Sequence, residues 1–109
     1  MKDLENSLSR DLEIFTENIV KLGSVEDIYM FGSYVYGIPN DESDIDIYTV
    51  VRDGIEDISE LYADFRLLWR KRSVPIDLLV GYSEVFNRRK SGPTIERTID
   101  QKGVKLYGQ

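Results

Sequence analysis

Apolar residues return every third or fourth position at the start of the chain, at Leu4, Leu8, Leu12, Phe15, Ile19 and Leu22. That period predicts an amphipathic helix ending near Gly23. The pattern then shortens. Asp27 to Phe31 is apolar and bounded by turn residues, which predicts a strand delivering the chain to Gly32 and Ser33. Gly37, Pro39 and Asn40 break up the interval from Tyr34 to Ser43, so a short helical turn and then a loop are expected there. Asp44 to Val51 predicts a second strand, with β-branched and aromatic content from Ile45, Ile47, Tyr48, Val50 and Val51.

Asp53 to Glu56 resembles a capping box. Beyond it, Ile55, Ile58, Leu61, Tyr62, Phe65, Leu68 and Trp69 keep helical spacing up to the basic run Arg70, Lys71 and Arg72. Val74 to Val80 predicts a third strand, with Pro75 near its start and Asp77 inside it. A short helix or turn over Ser83 to Lys90 follows. Next come a helix over Ser91 to Lys102, with Pro93 in its first turn and Gly103 closing it, and a last strand over Val104 to Tyr107. Strands and helices alternate with no internal repeat. The fold class expected is α/β (α+β), a small mixed sheet flanked by helices in one domain over residues 1–109.

Composition narrows the chemistry. At 41% hydrophobic and 31% charged, the chain can bury a core. It lacks an apolar run approaching the roughly 18 residues of a membrane helix, and its polar amino terminus has no signal-peptide core, so a soluble cytoplasmic protein is expected. There are no cysteines and no histidines. Metal binding and acid–base chemistry must therefore run on carboxylates. The net charge of −6 repels phosphate backbones, which argues against direct nucleic-acid binding and suits a cation, a cation-bound nucleotide or a basic protein surface.

The carboxylates concentrate in "FGSYVYGIPNDESDIDIYTV", Phe31 to Val50. Side chains alternate along a strand, so Asp44 and Asp46 project to one side with carboxylates about 6 to 7 Å apart. Asp77 joins them if the third strand lies beside the second. Such a cluster repels itself, by roughly 2 to 3 kcal/mol per pair at an effective dielectric of about 20. A divalent cation reverses that sign, and magnesium prefers oxygen ligands. Gly32 and Ser33 offer an anion cradle of approachable amides and a hydroxyl. Each feature also has a structural reading: a solvent-facing edge strand for the paired acids, and a plain turn for Gly32-Ser33. The basic runs, Arg70-Lys71-Arg72 and Arg88-Arg89-Lys90, read first as solvated helix ends and second as phosphate or partner contacts.

In combination, Gly32-Ser33, Gly37, Ser43-Asp44-Ile45-Asp46 and the distal Asp77 resemble the signature of the polymerase-beta-like nucleotidyltransferase superfamily. The small size is similar to its minimal nucleotidyltransferases, the MNT domains, and the resemblance spans most of the chain. It implies that Gly32, Ser33 and Ser43 hold the nucleotide and that Asp44 and Asp46 coordinate two magnesium ions. Asp77 would complete the metal site and help deprotonate an acceptor hydroxyl. The substrate implied is ATP. The partner implied is a HEPN-domain ribonuclease toxin, adenylylated by its MNT antitoxin, in a homo- or hetero-oligomer. Many family members carry an arginine where this chain has Tyr36, which puts the phosphate contact at that point in question. A non-catalytic antitoxin acting by occlusion is the alternative, and retention of all three aspartates favours the enzyme. A small-molecule nucleotidyltransferase is disfavoured by the short chain.

Overall fold

A computed structural model describes residues 6–40, 42–69 and 74–108. Their order is α1 (Asn6–Lys21), β1 (Val25–Phe31), α2 (Ser33–Tyr36), β2 (Ile45–Val51), α3 (Ile58–Leu67), β3 (Ile76–Tyr82), α4 (Ser83–Arg89), α5 (Ile95–Lys102) and β4 (Val104–Tyr107). The four strands form one sheet in the order β3-β2-β1-β4. β1 runs antiparallel to β2 and to β4, whereas β2 and β3 are parallel. The mixed sheet expected from the alternating pattern is present. No helix among the described residues is long and apolar enough to cross a membrane.

Strand alternation gives the sheet two unequal faces. Ile28 and Met30 of β1, Ile45, Ile47 and Val51 of β2, and Ile76 and Leu78 of β3 point to the larger core, where Leu8, Leu12, Phe15 and Ile19 of α1 and Phe65 of α3 cover them. Phe15 and Trp69 meet edge to face at 5.2 Å between ring centroids. On the opposite face, Tyr29, Phe31, Tyr48 and Val50 join Phe86 of α4 and Ile99 of α5 in a smaller cluster. Asp46 lies on that second face, beyond the edge of its apolar cover.

The helical stripe of α1 is as its period predicts, except that Leu22 lies past the helix end and is exposed. Leu4 and the run Arg70-Lys71-Arg72 lie outside the described residues. Three boundaries differ from expectation for identifiable reasons. Asp53 and Glu56 do not box a helix start, because Gly54 turns the chain at φ 92° directly after β2. α3 begins instead at Ile58, where Asp57 accepts a hydrogen bond from the Glu60 amide at 3.0 Å. Asp53 reaches across to the first turn of α4 and accepts from the Glu84 amide at 3.0 Å.

Thr94 caps α5 by accepting from the Arg97 amide at 3.2 Å, which leaves Pro93 ahead of the cap rather than in the first turn. β3 continues through Gly81 to Tyr82. A Cβ on Gly81 would meet ring carbon Cζ of Tyr48 at 3.2 Å, so glycine there lets the Tyr48 ring lean onto the neighbouring strand.

Asp57→Ala should lower stability by about 1 kcal/mol, the usual cost of a lost N-cap, and Tm by several degrees for a domain of this size. Glu56→Ala, which removes the supposed box partner, should change it by less than about 0.5 kcal/mol. Thermal melts of the two variants check the reassigned helix start, and equal losses would contradict it.

Candidate functional site

Parallel pairing of β2 with β3 sets Asp46 opposite Asp77. Paired residues on adjacent strands share a face, about 4.8 Å apart across the sheet. Asp44 is the residue just before β2 and exposed, one pleat repeat from Asp46. The three acids named by the sequence thus stand at the starting ends of two neighbouring strands, Asp46 and Asp77 in register and Asp44 ahead of them. Antiparallel pairing with β1 places Phe31 opposite Asp46, so Gly32 follows immediately at the rim of the same site.

Gly32 adopts φ 79°, a region that strains any side-chain-bearing residue. A Cβ there would also run into the carboxylate of Asp46, reaching its Cγ at 2.9 Å. The glycine both turns the chain and lets the Asp46 carboxylate pack directly against its backbone. Ser33 starts α2, whose short turn closes through bonds from the Val35 and Tyr36 amides to the Gly32 carbonyl, each 3.0 Å. The amides of Ser33 and Tyr34 precede those bonds and find no carbonyl within so short a helix. Gly37 packs against the backbone of Ser33, where a Cβ would come within 2.9 Å of the Ser33 Cα. Tyr34 and Val35 pack on the larger core and hold this turn in place.

Ser43 serves the loop between the two halves of the site. Its hydroxyl accepts from the Asn40 amide at 2.9 Å, while the Asn40 side chain accepts from the Glu42 amide at 2.8 Å. Both bonds steer the chain into Asp44. Tyr36, at the end of α2, is half exposed.

Electrostatics single out Asp46. Burial pushes its carboxyl above the ordinary carboxylate value, and the charges of Asp77 and then Asp44 push it further in the same direction. Among the described residues, no lysine or arginine pairs with any of the three acids. Nor are any three carboxylates there gathered closely enough to hold a cation as they stand. The donor chemistry fits one all the same: oxygen ligands only, uncompensated by any described lysine or arginine.

One buried carboxylate escaped the pattern of the sequence. Glu96 of α5 is 6% exposed, accepting from the Arg89 Nε at 2.9 Å and from the Tyr48 hydroxyl at 3.3 Å. Burial works to raise its carboxyl, but the Arg89 and Tyr48 hydrogen bonds and the Arg89 charge outweigh it and hold the group below its ordinary value. Tyr48 is pushed up to about 12, by burial first and by Glu96 second. The available signal was helical phase: Glu96 stands three residues before fully buried Ile99, whereas neighbouring Ile95 is 46% exposed.

Residues 12–105 match the model of the nucleotidyltransferase domain family. A putative nucleotidyltransferase from Sulfolobus solfataricus superposes with a TM-score of 0.55 at 21% identity, covering 92% of this chain and 79% of its own. A toxin–antitoxin structure with AMP-PNP gives 0.56 at 24% identity, covering 89% and 73%. A mutant of the toxin–antitoxin pair MntA-HpeT gives 0.55 at 22%, with the same coverage. A search of curated protein sequences returns no match. At these identities the solved structures share the fold.

Two outcomes follow from the geometry. Gly32→Ala should destabilise by about 1 to 3 kcal/mol, through backbone strain and the clash with Asp46. In the double variant with Asp46→Ala the clash part should disappear, so thermal melts of the four proteins in a mutant cycle should show positive coupling; strict additivity would contradict the contact. Asp46→Asn should raise metal-free stability at neutral pH, by about 1 kcal/mol or less given solvent screening at a half-buried site. A raised acid value means that the native state resists ionisation, so the penalty exists above that value and lifts as pH falls through it. The Tm advantage of the variant should therefore shrink in acid, and an advantage constant with pH would count against the repulsion.

Proposed function

Because this chain belongs to the nucleotidyltransferase domain family, we propose that it transfers AMP from ATP to a hydroxyl on a partner protein, using magnesium held by Asp44, Asp46 and Asp77. The observation that carries the reading is the register pairing of Asp46 with Asp77, unpaired by any described cation and facing Gly32. A fold gains nothing from two such acids side by side unless a cation joins them. Two bound magnesium ions would supply charge stabilisation at the attacking and leaving oxygens.

The chain's own residues divide the remaining work. Gly32 lets the phosphates approach the backbone, and Ser33, whose hydroxyl has no protein partner among the described residues, donates to a phosphate oxygen. Ser43 holds the loop that presents Asp44. The acceptor oxygen bonds to the α-phosphorus as the bond from that phosphorus to the bridging oxygen of the β-phosphate breaks, and pyrophosphate leaves with the electron pair. The acceptor's proton passes to the Asp77 carboxylate.

A protein acceptor is favoured by what the domain leaves open. The acids stand at an open end of the second sheet face, and the chain's charge of −6 favours a basic partner. Two structures with this fold are named as toxin–antitoxin assemblies, one of them with AMP-PNP. We therefore read the chain as an antitoxin that adenylylates a HEPN-type ribonuclease.

Intact-mass measurement of such a partner, incubated with magnesium and ATP, tests the reading. Wild-type protein should add one or more adenylyl groups, and Asp44→Asn/Asp46→Asn should add none. Omission of magnesium should likewise abolish transfer. A partner neutralised but unmodified in every reaction would replace catalysis by occlusion.

A further inference from the structure

The second face of the sheet is covered unevenly. Helices α4 and α5 bring Phe86 and Ile99 down on Tyr29 and Phe31 of β1 and on Tyr48 and Val50 of β2, and among the described residues no side chain of β3 joins that cluster. β3 is an edge strand, and no described strand lies beyond it. Asp77 and Leu79 alternate onto this face, in register with Asp46 and Tyr48. Tyr48 is 5% exposed and its neighbour Leu79 37%. Leu79 therefore stands in the open, one pleat repeat or about 7 Å from Asp77, outside both apolar clusters.

A single exposed leucine is ordinary on a protein surface. What gives this one a consequence is the lateral order of the site. Asp46 lies on β2, Gly32 and Ser33 follow β1 on one side of it, and Asp77 and Leu79 lie on β3 on the other. In-line displacement at phosphorus sets the attacking and leaving oxygens on opposite sides of the transferred group. With the departing phosphates held at Gly32 and Ser33, the attacking hydroxyl enters from the β3 side, where Asp77 takes its proton.

We propose that Leu79 is an acceptor-binding residue, and that the acceptor hydroxyl is carried on an apolar body that lies over β3 against it. The inference rests on the nucleotidyl-transfer reading above and adds the class of acceptor. The oxygen that bonds to the α-phosphorus stands beside Asp77, so the atoms attached to it fall within reach of Leu79. An apolar group there removes hydrocarbon surface from water on both sides of the contact, which a sugar or polyol does not. An anionic body at the same place is repelled by the neighbouring acids.

Two alcohols with the same kind of nucleophile separate the cases: benzyl alcohol, whose body is apolar, and glycerol, whose body is polar. The full chain is incubated with magnesium-ATP and each alcohol, and the adenylylated alcohol is quantified by mass spectrometry. Wild type should favour benzyl alcohol by about tenfold in kcat/KM, the size of one partly buried apolar contact. Leu79→Ser should erase that preference, chiefly by raising KM for benzyl alcohol, while its calorimetric Kd for magnesium-ATP stays within about twofold of wild type. Leu79→Met keeps an apolar side chain and should retain the preference. Ile95→Ser, at another exposed apolar position, should not alter it.

Equal transfer to the two alcohols, none included, by a wild-type chain that binds magnesium-ATP overturns this inference alone. So does a Leu79→Ser chain that keeps the preference, or one that loses magnesium-ATP affinity as far as it loses transfer, which would put Leu79 on the nucleotide's side. A wild-type chain that does not bind magnesium-ATP overturns the nucleotidyl-transfer reading, and this inference with it.

Discussion

Repulsion between Asp46 and Asp77, facing each other on parallel neighbouring strands, is the constraint that the rest of the structure accommodates. Burial and two like charges all push Asp46 the same way, and no described cation answers them. The cost is tolerated because the sheet is overdetermined elsewhere. The larger core fastens β2 from its other face through Ile45, Ile47 and Val51, all fully buried, so the strand cannot rotate its acids into solvent without exposing that row.

The two faces of the sheet divide the labour. One is sealed by α1 and α3 and supplies stability. The other is covered only in part, by α4 and α5 around Phe86 and Ile99, and the uncovered end is where the acids stand. Gly32 belongs to both requirements at once, since it turns the chain at positive φ and, lacking a Cβ, lets the Asp46 carboxylate pack against it. The same economy recurs at Gly81, which makes room for Tyr48, the residue through which Glu96 and Arg89 grip β2. Site and scaffold are thus built from alternate residues of the same strands.

Charged groups behave differently at the two places where they are buried or crowded. At Glu96 the carboxylate is compensated within the protein by Arg89 and Tyr48, and it stays ionised. At Asp46 compensation is withheld. A compensated carboxylate is a structural or positioning element, whereas an uncompensated one invites a ligand that brings positive charge.

Much of this was legible in the chain alone, because it depends on local periodicity. The apolar stripe of α1, the alternation that turns Asp46 away from Ile45 and Ile47 along β2, and the spacing from Gly32-Ser33 to Asp44 and Asp46 are set by residues a few positions apart. Helix starts were less legible where turn chemistry competes with capping: Gly54 diverts Asp53 away from α3, and Asp57 takes its place. What only the tertiary structure decided are the contacts between distant segments. Asp77 stands opposite Asp46 because β3 lies parallel and in register beside β2, and nothing in either strand's own pattern specifies that neighbour. Glu96 is buried while Ile95 is exposed because the rotation of α5 over Tyr48 is set by the fit of Ile99 into the smaller core, and packing of that kind outweighs the hydropathy of any single side chain.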